Sequence, residues 1–146
     1  MNEKEMNQDY INEIYRNASV ALLSISNVMP EIEDGNLKKE IADQYDGYEK
    51  LIGEITSYMT EKGYEIKDVG AVKKMMMNTG IKMNTFLDDS KTHVAEIMIK
   101  GTVMGVTELC KILNEEEKIQ DKKIVDFAKR LKALEELYEE RLKKFL

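Results

Sequence analysis

The chain has 146 residues, 42% of them hydrophobic and 34% charged, with a formal net charge of −6. That length fits one domain over 1–146, and the apolar share is enough for a core and too large for a disordered tail. The acidic balance argues against a general nucleic-acid binder, because phosphate binding needs a basic face.

The one cysteine, Cys110, cannot form an internal disulfide, which fits a reducing cytoplasm. The opening Met1-Asn2-Glu3-Lys4-Glu5 is polar and acidic, with no apolar stretch of signal-peptide length. The most apolar segment, Val94 to Leu113, is interrupted by Glu96, Lys100, Glu108 and Lys111. Four charges would be costly in hydrocarbon, so no membrane span is expected.

Four long apolar stripes at helical spacing organise the chain, with a shorter one between the second and third. Helix one is expected over about Asn7 to Val28, its stripe being Ile11, Ile14, Ala18, Leu22, Ile25 and Met29. Pro30 discourages helix at Met29, Asp34-Gly35-Asn36 makes a turn, and Asn36 can cap the second helix. Helix two is expected over about Leu37 to Lys62, with Leu37, Ile41, Tyr45, Tyr48, Ile52, Ile55 and Met59 as its stripe and Gly63 as its stop. The short link makes these two helices antiparallel neighbours.

Within Tyr64 to Ser90, the residues Val69, Val72, Met76, Met83, Phe86 and Leu87 keep helical spacing and predict a short helix weakened by Gly80. Asp88-Asp89-Ser90 supplies a cap for helix three, expected over about Lys91 to Asn114. That helix is apolar over most of its circumference. Val94, Ile97, Met98, Gly101, Met104 and Ile112 are read as its main face, and Ile99, Val103, Val106 and Cys110 as the other. A helix apolar all round is buried all round, so its outer face is expected to be covered. The short helix over 69–87 is one candidate cover and a second subunit is the other; Gly101 and Gly105 would admit a close approach. Glu115-Glu116-Glu117 begins a charged link and Asp121 caps helix four. Ile124, Phe127, Leu131, Leu134, Tyr138, Leu142 and Phe145 form its stripe.

Two hairpins separated by nearly thirty residues predict an all-α, ferritin-like four-helix bundle with a long, partly helical crossover between helices 2 and 3. Tyr10-Ile11-Asn12-Glu13-Ile14-Tyr15 and His93-Val94-Ala95-Glu96-Ile97-Met98-Ile99-Lys100-Gly101, continued by Thr102-Val103-Met104-Gly105-Val106, resemble small uncharacterised bacterial ferritin-like proteins. Some relatives with that fold carry spore-coat labels. The resemblance implies the fold and little about activity.

Di-iron proteins of this architecture take one Glu from each of two helices and Glu-x-x-His from each of the other two. One histidine makes two such motifs impossible. The nearest fragment, His93-x-x-Glu96, runs in reverse order. On helical wheels Glu13, Glu49, Glu96 and Glu136 point away from the apolar faces and read as solvated surface. Gln44, Glu108 and Glu135 fall on or beside a stripe, Glu108 by continuing the series Ile97, Gly101, Met104. They read as a polar network fixing bundle register, or as a non-standard metal site. His93 reads as a surface or capping residue. His93 and Cys110 stand about 25 Å apart along one predicted helix, which excludes a Cys–His pair within the chain. Met75-Met76-Met77 points in three directions and cannot form one ligand site.

No catalytic residue, metal ligand or cofactor is therefore assigned. The expected role is association, with a homodimer favoured or another protein as partner, and without nucleic acid or membrane. An iron- or manganese-binding carboxylate protein with an unusual ligand set is the alternative. A small-ligand carrier would need a pocket between the helices, which no residue pattern reveals.

Overall fold

The computed structural model describes residues 1–67 and 90–146. The expected helix over 69–87 lies outside the described residues. Four main helices form: α1 (Glu3–Val28), α2 (Gly35–Lys62), α3 (Lys91–Leu113) and α4 (Lys122–Lys143). There is no strand among the described residues.

Local chemistry sets each helix end. α1 begins at Glu3 rather than Asn7, because Asn2 Oδ1 accepts from the Glu5 amide at 2.8 Å. After Val28 the chain tightens into a 3₁₀ turn, Met29–Glu31, where Pro30 has no amide hydrogen to offer. The cap of α2 is Asp34, not Asn36: its carboxylate accepts from the Leu37 amide at 2.9 Å, and Gly35 and Asn36 already belong to the helix. Gly63 ends α2 at φ 71°, where an L side chain is strained, and the Tyr64 amide reaches back to the Met59 carbonyl at 2.8 Å. Ser90 caps α3 through the His93 amide at 3.3 Å, and Asp121 caps α4 through the Lys123 amide at 3.1 Å.

Side-chain contacts give the helix directions. Tyr10 meets Glu115 and Asn17 meets Gly105, so α1 and α3 are antiparallel. Tyr48 meets Glu135 and Tyr58 meets Asp121, so α2 and α4 are antiparallel. Short links make α1–α2 and α3–α4 antiparallel as well. α2 and α3 thus run in the same direction at opposite corners, and α1 and α4, also parallel to each other, touch across the middle of the bundle.

The core strip of α2 is Leu37, Ile41, Gln44, Tyr48, Leu51, Ile55 and Met59. Leu51 is buried, while Tyr45 and Ile52 sit at the margin. α1 contributes Ile11, Ile14, Ala18 and Ile25; α4 contributes Ile124, Phe127, Leu131, Tyr138 and Leu142. At the end where α4 begins, the Tyr58 and Tyr64 hydroxyls both donate to the Asp121 carboxylate, at 2.7 and 2.8 Å, and Tyr58 packs edge-on against Phe127.

The face of α3 departs from expectation. Its buried residues are Val94, Ala95, Met98, Thr102, Leu109 and Ile112, with Gly105 in the same row. Gly101 is exposed, Ile97 is half-buried, and Met104 is 69% exposed. The helix has turned so that small residues, not the largest apolar ones, meet the middle of the bundle. Among the described residues no helix is long and apolar enough to cross a membrane.

Candidate functional site

Of the polar residues read as lying on or beside a stripe, the structure buries Gln44 and Glu135 and turns Glu108 outward. Glu108, read as the inward residue, is exposed and pairs loosely with Lys111 at 3.7 Å, one turn along. Glu135 on α4 is the buried one, only 2% exposed. Its carboxyl occupies the space that Gly105 leaves open: a Cβ there would lie 2.6 Å from Oε2 and 2.9 Å from Oε1. Thr102, one turn away, closes its own hydroxyl onto the Met98 carbonyl at 2.8 Å and so adds no open polar group.

Among the described residues one hydrogen bond holds the carboxyl. The Tyr48 hydroxyl donates to Oε2 at 3.2 Å, while Oε1 is buried without a hydrogen-bond partner. Burial pushes the Glu135 carboxyl up to about 8, against a smaller lowering from the Tyr48 hydrogen bond. At neutral pH the group is therefore a carboxylic acid. The same burial, with the adjoining carboxyl second, raises the Tyr48 phenol far above its ordinary range. Tyr138 packs edge-on against Tyr48 at 5.3 Å, and its hydroxyl lies where a Cβ of Gly47 would be. Asn17 donates to the Gly105 carbonyl from α1 at 3.0 Å, leaving its own buried Oδ1 without a hydrogen-bond partner. Four helices thus meet in one polar layer around Gly105.

The other candidates stay apart from this layer or border it differently. Gln44 is buried on the Tyr48 strip and donates to Glu40 at 3.1 Å. His93 lies in the first turn of α3, about 18 Å along the axis from Gly105. α3 is continuous through both His93 and Cys110, so they do not meet. Glu49, Glu96 and Glu136 are exposed, as their wheels predict.

Glu13 is also exposed, yet it borders a groove of about 420 Å³ between α1 and α3 that helical periodicity does not reveal. Asp9, Glu13, Glu108 and Glu115 line it, with Lys111 at the rim. The Glu13 carboxyl is raised, first by burial and then by Asp9, Glu108 and Glu115, with Arg16 opposing. Tyr10 donates to Glu115 at 2.6 Å, and that bond leads in raising its phenol to about 12. The signal available in sequence was the acidic spacing on each helix edge, Asp9/Glu13 and Glu108/Glu115. Nothing in one helix said that these edges would adjoin.

Among the described residues no group of three or more His, Cys, Asp or Glu side chains is placed to hold a metal ion. Comparison of the chain with protein-family models, curated proteins and solved structures finds no match.

Proposed function

We propose that this chain is a non-catalytic, ferritin-like helical bundle that acts by association, with a second copy of itself or with another protein. The observation that carries this reading is the outward apolar surface of α3, where Val103 is 43% and Met104 69% exposed. A soluble surface rarely keeps large apolar groups together on a helix that is otherwise amphipathic only weakly. The ferritin-like topology is supported by the helix directions. α2 ends beside the start of α1, where the Lys67 amide donates to Asn12 at 2.9 Å, and α3 starts at the far end. A second and third helix that run in the same direction are what a ferritin-like order requires.

The alternative, a carboxylate metal protein with a non-standard ligand set, has one observation in its favour: the buried, unpartnered Oε1 of Glu135. Light scattering and metal analysis on one untagged sample, purified without chelator from iron- and manganese-supplemented medium, separate the readings. A dimer or larger species without stoichiometric metal supports association. A monomer that captures no partner refutes it, and near-stoichiometric metal transfers the case to the alternative.

A further inference from the structure

We propose that α3 pairs with α3 of a second copy, antiparallel, about a twofold axis at Met104. The inference rests on the self-association reading and adds the surface, the orientation and the residues. Lys100, Met104 and Glu108 stand four residues apart, one helical turn each, and all three are exposed. They lie on one strip of α3, with the apolar group in the middle and opposite charges on either side. An isologous interface must be complementary to itself, so a residue meets its counterpart through the axis. With Met104 on the axis, Lys100 faces the partner's Glu108 and Glu108 faces the partner's Lys100, giving two equivalent ion pairs around a Met–Met contact.

The wider charge distribution has the same sense. The C-terminal half of α3 borders the acidic groove of Asp9, Glu13, Glu108 and Glu115, offset by Lys111 and Arg16. The N-terminal half carries Lys91 and Lys100 against Glu96. An antiparallel arrangement lays the basic half over the acidic half twice, whereas a parallel one opposes like to like. Gly101 provides the approach: a Cβ there would meet nothing within 4 Å, so the partner's backbone can come close beside Met104. Ile97, half-buried, comes opposite the partner's Lys111, whose methylene stem can cover it.

Charge reversal tests this on the full chain by sedimentation velocity. Lys100→Glu and Glu108→Lys each put two like-charge pairs into the interface and should weaken the dimer by about tenfold or more. The double variant Lys100→Glu/Glu108→Lys restores both pairs with signs exchanged and should return the wild-type constant to within about threefold. Both positions are on the surface, and circular dichroism checks that each variant is folded. Met104→Cys in a Cys110→Ser background should oxidise to a covalent dimer, since a residue on the axis lies beside its own copy. A wild-type dimer unaffected by either reversal, with no Met104→Cys cross-link, overturns this interface and leaves self-association standing elsewhere. A monomeric wild type overturns the interface and self-association together.

Discussion

Replacing Glu135 with Gln removes an ionisable group from the middle of the bundle while keeping its shape. In the folded protein burial holds this carboxyl at about 8, against 4.5 for the ordinary group. The folded state therefore binds the proton more tightly than the unfolded state. Below about pH 4.5 both states are protonated and the group has no effect on stability. Between 4.5 and 8 the unfolded chain ionises and the folded one does not, so stability falls by about 1.4 kcal/mol per pH unit. Above 8 the penalty is complete, on the order of 5 kcal/mol from the span of that window. Gln cannot ionise and carries none of it. Urea unfolding of wild type and Glu135→Gln at pH 5, 6, 7 and 8 measures the difference, with the m-value checking that the unfolded states are alike. The two proteins should agree to within about 1 kcal/mol at pH 5, and the variant should gain steadily to be several kcal/mol the more stable at pH 8. Taking the difference at each pH cancels the titration of every other group. A flat difference across that range, or a variant less stable at pH 8, would refute the sealed neutral acid and show that Glu135 finds a charge partner.

Gly105→Ala drives a methyl group into the Glu135 carboxyl and should destabilise by about 1–3 kcal/mol; pairing it with Glu135→Ala in a double-mutant cycle should recover part of that loss. Asp121→Ala removes the α4 cap and the acceptor of two tyrosine hydroxyls, for a loss of about 3 kcal/mol by thermal or urea unfolding, with Asp121→Asn intermediate. Gly63→Ala places a Cβ at φ 71° and should cost about 1 kcal/mol, with Gly63→Asn costing less because Asn tolerates the left-handed region.

The sequence by itself determined the four helices, their approximate ends and most of three buried faces. On α1, α2 and α4 most apolar residues fall on one side, so a period of 3.6 names both the helix and its inward stripe. It also placed Glu13, Glu49 and Glu136 on the outside, because each stands off such a stripe. For α3 the same reasoning had no purchase. A helix apolar around most of its circumference has no preferred side, and taking the series Ile97, Gly101 and Met104 as part of its inner face turned Glu108 inward. Tertiary packing decided otherwise, because the middle layer already holds Tyr48, Tyr138 and a full glutamic acid and has room only for a small residue from the fourth corner. Gly105 and Thr102 satisfy that limit, whereas Met104 would not fit. The buried acid is thus a property of four helices at one height, set by volume, and no single helix carries the information that specifies it.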